Sequence, residues 1–155
     1  MIIVAHILGF ALIVIASTFD FMHFSLDAQK LKYFIDLPSI LIILAPTIFY
    51  AGTVHGWGIY GNAWRALLGN IDGVDRKELE PTRLCLRDLG NLSLIWGVLG
   101  TFVGWIILLH DMDNIVEQWG LYPALAVSII TLFYGILLYM LCLVSKSRVE
   151  RRLID

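Results

Sequence analysis

Long runs of apolar residues separated by short polar segments dominate the chain. Uncharged stretches cover Met1–Phe19, Leu37–Trp64, Leu89–His110 and Gln118–Ser145. A helix needs roughly 20 such residues to cross the hydrocarbon core of a bilayer. The pattern therefore predicts one all-α membrane domain over residues 1–155, with four transmembrane helices at about 2–19, 37–60, 89–110 and 119–145.

Composition supports the membrane assignment, and the distribution of charge predicts how the chain is oriented in the membrane. Hydrophobic residues make up 59% of the chain, the mean hydropathy is +0.80 and only 15% of residues are charged, which excludes an ordinary soluble protein. All but two of the 11 Lys and Arg residues lie between the second and third spans or in the tail 146–155. The positive-inside rule then predicts a multi-pass inner-membrane protein with both termini in the cytoplasm.

Local signals predict where the helices begin and bend. Proline suits a first helical turn, so Asp36, Pro38 and Ser39 indicate the start of the second span. Pro46 is expected to kink that helix. The cytoplasmic loop 61–90 is short, with a turn at 70–73. After this turn, a helix is expected from Thr82 to about Leu109, so that it runs without a break into the third span. Another helix is expected from Trp119 or Leu121 to about Arg152. Both would extend past the bilayer into the cytoplasm.

The third and fourth spans repeat one pattern of small residues. The third has them at offsets 0, 4, 7/8 and 11, and the fourth at offsets 0, 4, 7 and 11. Such spacing places small residues on one face of a helix and lets two helices approach closely. The pattern predicts a narrow, hydroxyl-bearing wall that one subunit of a ring-shaped ion pathway would contribute. The residues are Ser93, Gly97, Gly100, Thr101 and Gly104 in one span, and Ala124, Ser128, Thr131 and Gly135 in the other.

The predicted spans contain no Asp, Glu, Lys or Arg. An ion pathway usually needs a titratable group inside the membrane. If this chain serves one, the carboxylate must therefore come from another polypeptide. A simpler interpretation stays open, in which Thr101 and Thr131 hydrogen-bond their own helix carbonyls and the glycines only allow close packing.

Candidate chemistry of other kinds is sparse. We find no paired carboxylates in an apolar setting and none of the common hydrolase, metalloprotease or redox motifs, so we expect neither an enzyme nor a metal site. Cys85 and Cys142 are predicted to stay reduced near the cytoplasmic side. His6 and His55 lie at similar predicted depths, which leaves haem or quinone binding open as an alternative.

Three stretches resemble the MotA/TolQ/ExbB family of membrane energisers. Residues 34–44 resemble the start of the second helix of MotA, where an Asp-x-Pro-Ser element opens an aliphatic run. Residues 97–104 are similar to the Gly-Thr-x-x-Gly core of the family's third helix. Residues 124–135, which contain Thr131, Tyr134 and Gly135, are similar to its fourth helix. The similarity covers about residues 34–60 and 91–152.

The resemblance implies a minimal MotA-like subunit of an ion-driven motor. It implies a homopentamer around a dimer of a single-span MotB/ExbD/TolR-like partner, which supplies the ion-carrying carboxylate. H⁺ or Na⁺ would be transported, with no other cofactor and no nucleic acid. Thr101 and Thr131 match the family's pore-facing threonines, and the other predicted ion-pathway residues are Ser93, Ser128 and Tyr134. The alternative is a structural membrane scaffold without ion conduction, in which the two stripes bury against each other within one subunit.

Overall fold

Helices dominate the computed structural model, which describes residues 11–12, 15, 19–20, 25–26, 35–110 and 121–154. The helices are α1 (Leu37–Val54), α2 (Trp57–Leu67), α3 (Arg76–His110) and α4 (Leu121–Ile154). Two two-residue strands, β1 (Phe19–Asp20) and β2 (Ser25–Leu26), pair antiparallel. The predicted first span falls almost entirely outside the described residues.

The predicted start of the second span is confirmed. The backbone of Asp36 is extended, and its carboxylate accepts a hydrogen bond from the N–H of Ser39 at 3.0 Å. This contact satisfies one of the N–H groups that the first turn of a helix leaves without a partner. Pro38 lies in that first turn, where its missing N–H removes no helical hydrogen bond.

The predicted end of the second span, at about residue 60, is wrong. The helix continues through Pro46 but ends at Val54, and α2 begins after Gly56, whose φ of +81° disfavours every residue with a side chain. Trp57 then folds back over α1, so that a Cβ at Gly52 would lie 2.7 Å from the indole ring. Two glycines, rather than the proline, therefore set the break.

The two long helices predicted from the sequence are confirmed, with shifted ends. At a rise of 1.5 Å per residue, the 35 residues of α3 and the 34 residues of α4 each extend about 50 Å. α3 begins at Arg76, six residues before its predicted start at Thr82. Pro81 lies in the second turn of α3, where it removes one backbone hydrogen bond and the helix continues past it.

Within the described residues, three helices are long and apolar enough to cross a membrane: α1, α3 and the part of α4 from Ser128 to Ile154. Large apolar side chains cover the outside of these helices, including Phe49, Phe102 and Ile106, which are more than half exposed. Such a surface is stable against lipid tails rather than water. The chain is a helical membrane protein.

The core of the described chain lies at the end of the α3–α4 hairpin that α2 covers. Ala63 and Ala66 of α2 are fully buried together with Leu79 and Leu86 of α3 and Val149 of α4. The small alanines allow α2 to lie close against the hairpin. This packing fixes α2 and the turn that follows it against the ends of the two long helices.

Candidate functional site

The small-residue faces of α3 and α4 meet each other within one protomer. A Cβ at Gly135 would lie 2.6 Å from the carbonyl oxygen of Ser93 and 3.0 Å from the Cα of Gly97. A Cβ at Gly104 would lie 3.1 Å from the Cβ of Ser128. Such backbone contact is possible only with glycine at the crossing. We call this contact the α3–α4 seam; it comprises Ser93, Gly97, Gly100, Thr101 and Gly104 of α3 with Ser128, Thr131 and Gly135 of α4.

Most hydroxyl groups of the α3–α4 seam bind backbone carbonyls of the protomer. The hydroxyl of Thr101 donates to the carbonyl of Gly97 at 3.0 Å, one helical turn earlier. Ser93 donates to Gly90 at 2.7 Å and contacts the carbonyl of Gly135 at 3.3 Å. Ser128 donates to the carbonyl of Leu125 and accepts from the indole of Trp105 at 2.9 Å. These bonds satisfy polar groups that have no water in a bilayer.

Thr131 differs from the other seam hydroxyls because its partner is a side chain on α1. Its Oγ1 lies 2.8 Å from the Oγ of Ser39, and both residues are buried. One turn earlier in the chain, the N–H of Asp36 donates to the hydroxyl of Tyr134 at 3.1 Å. We call Asp36, Ser39, Thr131 and Tyr134 the Asp36 cluster. It links the first turn of α1 to the middle of α4.

The structure therefore encloses the predicted wall of hydroxyls within the single protomer. Thr101 is 6% exposed and Thr131 is 4% exposed. Gly100 lies between α1 and α4, with its Cβ direction aimed at the methyl groups of Thr131 and Ile42. Contact of these threonines with a central pathway would require α1 to move away from the α3–α4 seam. Their role in ion passage stays a prediction.

Two other predicted site residues lie away from these contacts. Pro38 is exposed on the first turn of α1. Ala124 belongs to α4, but its side chain lies outside the described part of the protein.

A second polar contact, which the sequence pattern did not predict, lies at the opposite end of α1. Nε2 of His55 lies 3.0 Å from Oδ2 of Asp88, and both side chains are largely buried. Asp88 also accepts from the guanidinium of Arg87. A histidine that ends one helix and an acid on another have no fixed sequence spacing, so only the fold reveals the pair. The contact ties the end of α1 to α3.

The charged segment at the start of α3 forms local pairs, as expected for its mixed signs. Arg83 binds Glu80 on its own helix and Glu150 on α4, and these hydrogen bonds raise the pKa of its guanidinium. The amide of Asn62 on α2 donates to Glu78 at 2.6 Å. Because most of these side chains are partly exposed, the pairs contribute little stability individually. They do align α2 and the hairpin.

Cys85 is expected to be unreactive in the folded protein. It is fully buried, and burial, followed by the nearby charge of Asp88, raises its thiol pKa to about 12. At pH 8 a thiol with that pKa is only about 1 part in 10⁴ thiolate, the form that alkylates. Iodoacetamide should therefore label Cys85 rapidly in denaturant and at least about 100-fold more slowly in mild detergent. Equal rates would contradict the buried position.

The described residues contain no group of three or more His, Cys, Asp or Glu side chains placed to hold a metal ion. No family model, no curated protein and no solved structure matches this chain in the comparisons with known proteins. The candidate site therefore rests on the geometry of the α3–α4 seam and the Asp36 cluster.

Proposed function

We propose that this chain is the ring-forming subunit of an ion-motive-force-driven complex in the cytoplasmic membrane. Five copies would surround a dimer of a single-span partner, as the resemblance to MotA, TolQ and ExbB implies. The partner would supply the ion-carrying carboxylate. The chain would act as a channel and motor subunit rather than as an enzyme, and H⁺ or Na⁺ would be the transported ion.

The convergence of three distant stretches is the observation on which the proposal depends. The Asp36–Ser39 stretch, the Gly97–Gly104 stretch and the Ala124–Gly135 stretch each resemble the family separately. In the fold, Ser39 binds Thr131, and Gly100 contacts the same threonine. Residues more than 90 positions apart thus form one polar and close-packed site. The meeting of the three stretches around the side chain of Thr131 supports the proposal.

The lengths of the hairpin helices support a role beyond spanning the bilayer. A helix of about 50 Å exceeds the roughly 30 Å of the hydrocarbon core by about 20 Å. The charged residues Arg76–Asp88 and Lys146–Arg152 occupy the same end of the hairpin, where Arg83 binds Glu150. In the proposed orientation this end projects into the cytoplasm, where movement of the ring would be transmitted to a load.

Purification of the complex from native membranes tests the proposal. A tagged chain, extracted in mild detergent and measured intact by native mass spectrometry, should give a pentamer. Its mass should include two copies of a short chain with one span and one membrane-embedded aspartate. A complex of only one copy of this chain, or a ring with no such partner under several detergents, would contradict the proposal.

A membrane scaffold without ion conduction is the second candidate. The observation that favours it is the enclosure of both small-residue faces within one protomer, where Gly97 and Gly135 are in direct contact. A scaffold needs no exposed hydroxyl and no partner acid. The same mass measurement separates the two candidates, because a scaffold of this kind is complete as a single four-helix bundle.

A further inference from the structure

A groove lies between α3 and α4 near the charged end of the hairpin, and its lining residues all belong to these two helices. Gly90 and Cys142 are buried at its floor, where a Cβ at Gly90 would lie 3.1 Å from the Cβ of Cys142. The groove has a volume of about 50 Å³, which gives room for about four groups of the size of a water molecule. It can therefore hold one small polar group of a larger molecule.

Cationic and neutral hydrogen-bond donors form the rim of this groove. Arg87 and Asn91 contribute from α3, and Tyr139 and Lys146 contribute from α4. In the described part of the chain, no acidic residue lines the groove. A guanidinium, an ammonium, an amide and a phenol can together donate to several oxygens of one anion. The rim therefore favours a negatively charged ligand.

Neighbouring acids neutralise the two cations of the rim only in part. Arg87 binds Asp88 at 3.1 Å through Nε, and its side chain is 53% exposed, which leaves both Nη atoms able to donate to a ligand. Nζ of Lys146 lies 3.6 Å from Oε1 of Glu150, too far for a hydrogen bond. The same oxygen accepts a shorter bond of 3.1 Å from Arg83. The groove thus keeps a positive potential toward an incoming anion.

The groove lies where the apolar part of the hairpin meets its charged part. Arg87 lies two positions before the uncharged segment of α3, and Lys146 directly follows that of α4. On the other side of the buried Cys142, Tyr60 and Trp64 of α2 line a neighbouring cavity that also includes this cysteine. Tyrosine and tryptophan are enriched at the membrane–water interface. Charge and aromatic residues therefore both indicate the level of lipid headgroups.

An apolar strip continues from the groove along the outside of α4. Leu143, Met140 and Ile136 follow one another at helical spacing, and each is more than 40% exposed. A lipid whose headgroup occupies the groove would find an apolar surface for its acyl chain there. A free phosphate ion would leave this strip unused, so the surroundings of the groove favour a lipid.

We propose that the groove binds the headgroup phosphate of an anionic phospholipid. Arg87 and Lys146 bind the phosphate oxygens, and Asn91 and Tyr139 donate to the remaining oxygens of the headgroup. Basic pockets between membrane helices on the cytoplasmic side are suited to anionic headgroups. A choline headgroup would bring a second cation next to Arg87 and Lys146, so a zwitterionic lipid should bind more weakly. The site does not depend on the proposed motor function.

Lipid titration of the full chain, followed by native mass spectrometry in mild detergent, tests this site. The wild type should retain phosphatidylglycerol in preference to phosphatidylcholine. Arg87→Gln combined with Lys146→Gln should weaken phosphatidylglycerol binding about 30-fold, since each cation near a membrane surface contributes about a factor of five. Arg76→Gln combined with Lys77→Gln is the matched control, because it removes one exposed Arg and one exposed Lys outside the groove. It should bind like the wild type.

Two further measurements keep the result interpretable. Arg87→Lys combined with Lys146→Arg keeps both charges and should retain the lipid, and the melting temperature of every variant shows that it is folded. Equal retention of the two lipids by the wild type, or equal losses in the groove pair and the control pair, would overturn the proposal. Displacement of the lipid by inorganic phosphate would overturn it in favour of a free-anion site. Lipid is counted per chain, so the outcome is independent of whether a ring forms.

Discussion

Substitution of Gly135 by alanine should destabilise the protein strongly, because the added methyl group has no space. Its carbon would lie 2.6 Å from the carbonyl oxygen of Ser93 and 3.0 Å from the Cα of Gly97. Both neighbours are backbone atoms of α3, so relief requires α3 and α4 to separate along the seam. We expect a loss of about 3 kcal/mol, the upper part of the usual cost of overpacking, and a lower melting temperature in detergent.

Gly61→Ala is the matched control, since it adds the same methyl group to a helix. Nothing lies within 4 Å of a Cβ at Gly61, so its substitution should leave stability unchanged or raise it by up to about 1 kcal/mol through helix propensity. A thiol-reactive fluorogenic dye can report unfolding in both variants, because Cys85 and Cys142 are buried in the folded chain. If the Gly135→Ala protein has the same melting temperature as the Gly61→Ala control, α3 and α4 are not in contact at Gly135.

The contact between α3 and α4 within one protomer is the arrangement that the alternative, structural interpretation of the small-residue pattern predicted. Small residues at helical spacing on two apolar segments define a face without reference to any other part of the chain. The pairing of Gly97 with Gly135 and of Gly104 with Ser128 follows once the two helices run antiparallel. The start of α1 was equally predictable, because a capping residue followed by proline is a local signal.

What covers the seam could not be predicted, because it depends on contacts between distant segments. Nothing local to Ser39 indicates that its hydroxyl meets Thr131, 92 residues later. The contact between the backbone of Asp36 and the hydroxyl of Tyr134, 98 residues later, has no local signal either. The end of α1 at Val54 was also missed. Its cause is a positive φ at Gly56, and the surrounding glycines offered several equivalent places for a break.

If the chain forms the proposed ion-conducting ring, loss of the Thr131 hydroxyl should abolish ion flux while the ring persists. Thr131→Val keeps the shape of the side chain but removes the 2.8 Å bond to Ser39. The buried hydroxyl of Ser39 then lacks this partner, which should cost about 1–3 kcal/mol. The measurement is ion flux through the purified complex in liposomes, followed with a pH-sensitive or Na⁺-sensitive dye under an imposed gradient.

A double variant separates conduction from stability in that experiment. Ser39→Ala combined with Thr131→Val removes both partners, so most of the lost stability should return, as an apolar pair of similar shape is nearly neutral. Ion flux should stay absent if the hydroxyls serve the pathway. Thr47→Val is the control, because Thr47 is equally buried but binds only the carbonyls of Ile43 and Leu44 on its own helix. It should conduct normally.

The scaffold interpretation predicts the opposite result for the double variant. If Ser39 and Thr131 only fasten α1 to the hairpin, restored stability should bring back every measurable property of the protein. Full flux in the double variant would therefore show that these hydroxyls are not part of the ion pathway and that the α3–α4 seam serves only packing. Absence of flux in a stable ring, with normal flux in Thr47→Val, would place the hydroxyls in the pathway. Because Thr131 is only 4% exposed in the protomer, α1 would then have to move aside during transport.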